Sequence, residues 1–375
     1  MIRIFHTADI HLGLKFLRGY SDEVRQKLID ARLAVVTRMV QMATSDKCDL
    51  FVVAGDLFDN VRVPKTLVRQ AAQALSQFEG LVVVLPGNHD YVQEASEDPI
   101  WPAFSEALGE GHLVLREPRV YDLSEFNLPV LLYAGPCGTR HSSQNSIGWV
   151  REAVAKDDRK LVRVGIAHGS LAGLSPDFNN KYFPMTHEEL DQSGTDLWLL
   201  GHTHVRYPDV SSGSGERIFY PSAPEPDGFD CSHAGFAWII ELQDNGALKY
   251  RSVQTGTHRF HELPVKLGQE NDLTELQNRF AEFDASADLV KLTLSGRLEG
   301  SLFEQLPEFV AKLQRMALHL EVDRSAVVRF IQQNDLDCEF TQGSFPHQLL
   351  SELARSPEDS LALQLAYELV QEARS

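Results

Sequence analysis

The chain has 375 residues, 43% apolar and 23% charged, which are ordinary proportions for a globular protein large enough for more than one domain. Its net charge of −18 excludes a stand-alone nucleic-acid binder that works through a broadly basic surface. No apolar run reaches the roughly 20 residues that a membrane-crossing helix needs, so no such span is expected.

Met1 leads directly into the apolar Ile2-Arg3-Ile4-Phe5, without the basic-then-apolar pattern of a secretory leader. The cysteines, Cys48, Cys137, Cys231 and Cys338, are scattered and form no Cys-x-x-Cys pair. Both features suit a cytoplasmic protein with free thiols.

In chain order, Ile2–His6 is a predicted strand whose end delivers Asp9 and His11. A helix follows from Ser21 to about Thr44, with Val24, Leu28, Ala31, Val35, Met39 and Val40 on one side. Leu50–Ala54 is a continuous apolar strand ending at Gly55-Asp56, and Pro64 opens a helix to about Phe78. Leu81–Leu85 ends at Gly87-Asn88-His89-Asp90. Val130–Ala134, Leu161–Ala167 and Asp196–Leu200 behave alike, the last two ending at His168 and at Gly201-His202-Thr203-His204. Continuous apolar strands between helices predict a sheet buried on both faces, with ligands at the carboxyl ends of its strands.

After Gly201 short strands succeed one another without helices, at Arg217–Tyr220, Phe236–Leu242, Ala247–Val253 and Arg259–Val265. They predict an antiparallel sheet, and hence two sheets stacked between helices, with Ser211–Gly215 as a hairpin-like loop. Beyond about residue 268 a helix (Leu273–Phe283), a strand (Leu289–Leu294), a helix (Leu302–Met316) and two strand-like runs (Leu318–Val322, Ala326–Ile331) form a separate module. Ser356-Pro357-Glu358-Asp359 reads as a capped helix start leading into Leu361, Leu365, Leu369 and Val370 on one face. The expected domains are therefore 1–268, 269–343 and a helical tail, 344–375. Residues 270–375 carry 19 acidic and 9 basic side chains, so a polyanion would meet local patches rather than attractive bulk charge.

Five segments carry chemistry: Asp9-Ile10-His11, Gly55-Asp56, Gly87-Asn88-His89-Asp90, Ala167-His168-Gly169 and Gly201-His202-Thr203-His204. Each alone is a common turn. Together they supply carboxylate, carboxamide oxygen and imidazole, the hard and borderline donors that a pair of divalent ions about 3.5–4 Å apart requires. One carboxylate must bridge such a pair, and Gly55-Asp56 is the bare Gly-Asp among the segments. Asp90 is expected to orient His89, since a carboxylate partner fixes the imidazole tautomer. His6 reads equally as a support for these donors or as a strand residue, and His141 and His233 read as loop histidines.

This motif series resembles the calcineurin-like metallophosphoesterase superfamily over roughly residues 1–265. Phe5-His6-Thr7-Ala8-Asp9-Ile10-His11-Leu12-Gly13, Gly55-Asp56-Leu57-Phe58-Asp59 and Tyr220-Pro221-Ser222 are similar to the SbcD and YhaO branch of DNA-repair exonucleases. The resemblance implies an α/β fold, a four-layer α-β-β-α sandwich, with a small C-terminal α/β capping domain. It implies one ion held by Asp9, His11, Asp56 and His204 and a second held by Asp56, Asn88, His168 and His202, with Asp56 bridging. His89 matches the histidine that contacts the scissile phosphate and assists the leaving group, with a buried structural role as its alternative. Mn2+ is the implied metal, with Mg2+, Fe2+ or Zn2+ as alternatives. The implied activity is a DNA nuclease in double-strand-break repair that works with an SbcC-like, SMC-type ATPase; whether it acts as a homodimer is left open by the sequence. A small-molecule phosphodiesterase or phosphatase on the same metal core is the alternative, and a non-catalytic scaffold a weaker one. The branch pattern departs at Asp59, where relatives carry histidine. The tail is also short for a helical hairpin that grips an ATPase.

Overall fold

A computed structural model describes the chain apart from residues 18, 94–99, 175, 176, 178, 244, 245, 356–359, 374 and 375. It divides into two compact units, Met1–Arg259 and Phe260–Ser375.

The first unit alternates strand and helix: β1 (Ile2–Thr7), α1 (Asp22–Ser45), β2 (Leu50–Ala54), α2 (Lys65–Leu75), β3 (Leu81–Leu85), α3 (Trp101–Leu108) and β4 (Leu113–Val114). β5 (Val120–Asp122), β6 (Val130–Gly135), α4 (Val150–Ala155), β7 (Val162–His168), α5 (His187–Gln192) and β8 (Leu197–Gly201) repeat the pattern. β9 (Arg206–Tyr207), β10 (Ser212–Ser214), β11 (Ile218–Pro221), β12 (Phe236–Leu242) and β13 (Leu248–Gln254) complete it.

Two sheets result, in the orders β10-β13-β12-β1-β2-β3-β4 and β5-β6-β7-β8-β11-β9. β2 shows why its sequence is apolar throughout. Phe51 and Val53 point into a core shared with Val36, Val68 and Trp101 of the helices. Leu50, Val52 and Ala54 point the other way, into a core shared with Leu132, Val164 and Leu199 of the second sheet. Alternate residues of one strand thus face opposite layers. A further core behind the second sheet joins Leu131, Tyr133 and Leu200 to Val150 and Leu190 of α4 and α5. The order of layers is helix, sheet, sheet, helix, the four-layer sandwich expected.

The late strands correct one expectation. They form no sheet of their own. β12 pairs antiparallel with β1 (Ile4 opposite Ile240) and carries β13, whereas β11 pairs parallel with β8. The open edges of β1 and β8 take up these strands, so each sheet is mixed. Ser212–Ser214 of the predicted loop pairs with β13.

The second unit contains β14 (Arg259–Leu267), α6 (Glu270–Phe280), β15 (Asp288–Glu299), α7 (Gly300–Leu313), β16 (His319–Phe330), α8 (Gln333–Glu339), α9 (Phe345–Ala354) and α10 (Ser360–Glu372). Its sheet runs β14-β15-β16, so the last of the predicted catalytic-sheet strands belongs here instead, and the expected boundary at 268 moves back to Arg259. The reason is burial: Leu263 and Leu267 pack with Leu276, Leu292 and Leu306. The two predicted runs after Leu318 are one strand, which pairs with β15 across a register shift between Thr293 and Ser295. In the tail, Leu363 and Tyr367 are buried beside Leu336 and Leu350; of the predicted face, Val370 packs against that core, Leu365 and Leu369 face outward, and the Leu361 side chain lies outside those described. The helix start read at 356–359 lies outside the described residues. No helix among the described residues is long and apolar enough to cross a membrane.

Candidate metal centre

Strand ends deliver the predicted donors to one place. β1 leads to Asp9 and His11, β2 to Asp56, β3 to Asn88 and His89, β7 ends on His168, and β8 leads to His202 and His204. The turns interlock through the backbone: Asp9 N–H donates to Gly55 C=O at 3.1 Å and His11 N–H to Asp56 C=O at 3.0 Å.

These turns are strained at the donors themselves. Asp9 (φ 56°), His11 (φ 49°), Asp56 (φ 53°), His202 (φ 108°) and His204 (φ 50°) all have positive φ. Such residues persist only where the surroundings over-determine them, and they cluster at functional sites. Two glycines make room. A Cβ at Gly55 would overlap the His168 ring, and one at Gly87 would overlap the Asp56 carboxylate.

The donors fall into two nests that meet at Asp56. In the first, the donor atoms of Asp9, His11 and His204 lie within 4.8 Å of one another. His11 Nε2 is 3.0 Å from His204 Nε2 and 3.7 Å from Asp56 Oδ2. In the second, His168 Nε2 is 3.2 Å from Asp56 Oδ2 and 3.1 Å from Asn88 Oδ1, and His202 Nδ1 is 3.0 Å from the same Asn88 oxygen. His168 Nδ1–H donates to the Ala54 carbonyl at 2.9 Å, which leaves its Nε2 lone pair facing inward. Imidazoles, a carboxamide oxygen and two carboxylates therefore converge on one place. The donor set fits two divalent cations.

Without an ion, His168 takes up the compensating charge. Burial would raise the Asp56 carboxyl, but the His168 charge and hydrogen bond, then His11 and His89, hold it well below the carboxylate range. Burial lowers His168, yet the Asp56 charge and hydrogen bond, then Asp9, bring it up to about 9. His202 is pushed down to about 3 by burial and by the neighbouring His168 charge. Burial raises Asp9, against the attraction of His204 and His168.

His89 stands at the edge of both nests. Its backbone N–H donates to Asp56 Oδ1 at 2.9 Å, and its ring lies edge-on to His11 with centroids 4.7 Å apart. Its Nδ1 meets the Asp59 carbonyl at 2.9 Å, so Nδ1–H donates there and Nε2 faces away.

This corrects the expectation for Asp90. Asp90 accepts from Gly87 N–H at 2.7 Å and from Phe58 N–H at 2.9 Å, and Trp101 Nε1–H donates to its carbonyl at 2.7 Å. The turn aims its side chain inward, away from its sequence neighbour. It braces two loops, while Asp59, at the position where the branch pattern departs, orients His89 through its backbone. The Asp90 carboxyl is raised to about 7 by burial and by Asp56, against those backbone hydrogen bonds.

The remaining histidines sort clearly. His6 is fully buried and lowered to about 3 by burial. His233 accepts from Gly235 N–H at 3.0 Å through Nδ1, and the exposed His141 packs edge-on against Tyr182. Asp227 was not foreseen. Its Oδ2 lies 3.8 Å from His204 Nδ1 and 3.2 Å from Arg32. Pro226-Asp227-Gly228 reads as an ordinary turn, so spacing alone carried no signal for it.

Residues 2–206 match the calcineurin-like phosphoesterase family. The chain belongs to that family. This phosphoesterase is accordingly a metal-dependent hydrolase of phosphoester bonds, in a family that uses a dinuclear divalent centre, and its Asp and His clusters are the candidates for that centre. It is 24% identical over 332 residues to the uncharacterized metallophosphoesterase YhaO of Bacillus subtilis, covering 84% of this chain and 77% of that protein. It is 26% identical over 274 residues to the DNA double-strand break repair protein Mre11 of Methanopyrus kandleri, covering 68% of this chain and 57% of that protein. A solved dimetal phosphatase from Danio rerio aligns over 68% of this chain and 99% of that one, with 11% identity and a TM-score of 0.38.

Proposed function

We propose that this phosphoesterase is a Mn2+-dependent nuclease, cutting DNA as exonuclease and endonuclease in double-strand-break repair alongside an SbcC-like, SMC-type ATPase in the cytoplasm. The observation that carries this is the pair of donor nests sharing Asp56, with His89 beside both. Asp9, His11, Asp56 and His204 would hold one ion, and Asp56, Asn88, His168 and His202 the other. Divalent ions held there supply Lewis acidity to a phosphodiester and to its attacking water. The chain's own residues do the rest. His89, oriented by the Asp59 carbonyl, presents Nε2 to contact the phosphate or to pass a proton to the leaving oxygen. The braced turns hold the donors in place before substrate arrives.

DNA as substrate is supported by the likeness to Mre11 of M. kandleri, a repair protein by its name. The net charge of −18 favours a second reading, a small-molecule phosphodiesterase or phosphatase on the same centre. One comparison separates them: incubation with Mn2+ and either end-labelled duplex DNA or bis-p-nitrophenyl phosphate. Cleavage of both is expected. Hydrolysis of the small diester with intact DNA, with an SMC-type ATPase partner also present, would favour the second reading.

A further inference from the structure

Outside the donor shell lies a buried connection that none of the five motifs contains. Arg32, on α1, is 2% exposed. Its guanidinium donates to the Ile10 carbonyl at 2.6 Å, to the Glu225 carbonyl at 3.3 Å, and pairs with Asp227 Oδ2 at 3.2 Å. The face of the Phe16 ring covers it, with the centroid 5.5 Å away. Ile10 is the middle residue of the strained Asp9-Ile10-His11 turn, and the Cys231 thiol donates to Asp227 Oδ1 at 3.0 Å. Asp227 is thereby held on two sides, with its second oxygen turned toward His204 Nδ1 at 3.8 Å.

Resting on the dinuclear centre proposed above, we infer that Arg32 and Asp227 are positioning residues for one of its two nests. Asp227 attracts the Nδ1–H edge of His204, which leaves Nε2 facing His11 Nε2 and Asp9. At 3.8 Å this is an electrostatic contact rather than a hydrogen bond, so it sets ring orientation through charge. Arg32 completes the device from the other side, because the same guanidinium clamps the turn that carries Asp9 and His11. All three donors unique to the first nest are thus reached from one buried cation. The second nest has its own supports: the Ala54 carbonyl on His168, and Asn88 between His168 and His202. Removing the Asp227 charge should weaken one nest and spare the other.

The test uses the full chain and Mn2+ itself as probe. Ion stoichiometry and affinity are measured by calorimetry and elemental analysis for the parent, Asp227→Asn, Asp227→Glu and the exposed control Asp209→Asn. Asp227→Asn keeps shape and loses charge, so it should bind one Mn2+ as the parent does and the other about 10–100-fold more weakly, the range for losing a carboxylate behind a ligating histidine. Asp227→Glu should recover most of that loss, and Asp209→Asn should match the parent. Two parent-like affinities in Asp227→Asn would overturn the inference. So would equal weakening of both sites together with a lowered melting temperature of the metal-free variant, which is the mark of a merely structural role. A loss in Asp227→Glu as large as in Asp227→Asn would overturn it too. A parent that binds a single ion would sink the dinuclear centre first and the inference with it, so the two failures are distinct.

Discussion

The two nests of the centre differ in how the chain holds them. The one built on Asn88, His168 and His202 leans on main chain: His168 is wholly buried and donates to a backbone carbonyl of the neighbouring sheet. The one built on Asp9, His11 and His204 is open on one side, with the His204 side chain 32% exposed and steadied by side chains of α1 and of the loop after β11. One nest is supported by the fold, the other by a specific set of charges. A main-chain acceptor such as the Ala54 carbonyl persists under most substitutions, whereas a side-chain support such as Asp227 disappears with one.

Asp56 belongs to both nests, so Asp56→Asn should remove the difference by disabling both. Hydrolysis of a small phosphodiester is expected to fall by at least about 10²–10³-fold, the scale of losing one preorganised electrostatic group. Elemental analysis should show loss of metal, with circular dichroism unchanged. A variant that retains two ions and near-parent turnover would remove Asp56 from the shared position. His89→Ala should leave both nests loaded, yet slow turnover by about 10²–10⁴-fold, as expected for a positioned acid or phosphate contact. Metal loss in that variant would make His89 a ligand.

Stability should separate the nests directly. His168→Ala strands the Ala54 carbonyl in the interior, which costs about 1–3 kcal/mol in chemical denaturation of the metal-free chain. His204→Ala, at a partly exposed position, should cost about 0.5 kcal/mol or less. Equal losses would erase the contrast between fold-supported and charge-supported donors.

The smallest effect concerns acid. Glu225 is buried beside the loop that carries Asp227 and accepts from Thr257 N–H, His258 N–H and Arg38. Burial would raise its carboxyl, but hydrogen bonds from His258 and Thr257 lower it below the ordinary 4.5. A carboxyl lowered by folding contributes stability above its unfolded value and loses it as pH falls through the folded one. The melting temperatures of the parent and Glu225→Gln should therefore differ at pH 7 and converge as pH drops below about 4.5. A gap that persists unchanged at pH 3 would show that the charge is not what supports the loop.

Much of this was legible in the chain. Strands of unbroken apolar residues ending in Asp, Asn and His announced both the layers and the donors, because burial on two faces leaves no polar position until the strand stops. Which edge a late strand joins was not legible. The pattern of Phe236–Leu242 fits any half-covered sheet, and the free edge of β1 decided the matter. Asp90 misled for a related reason: adjacency in sequence says nothing of direction once a turn reverses alternate side chains. Arg32 and Asp227 stayed hidden because they lie 195 positions apart in an α-helix and an unremarkable turn.

The positive φ angles at Asp9, His11, Asp56 and His204 also restrict what this centre could become. Aspartate, asparagine and histidine are the side-chain-bearing residues that enter the left-handed region most readily. At these positions the alphabet that suits the backbone and the alphabet that suits the cation coincide. Glutamate or cysteine would offer a usable donor and still meet a conformational penalty of about 1–3 kcal/mol at the residue concerned. A drift toward a softer, thiolate-loving ion is therefore opposed twice, once by coordination chemistry and once by main-chain geometry. Retuning this protein's metal preference should come more readily from residues behind the donors than from the donors themselves.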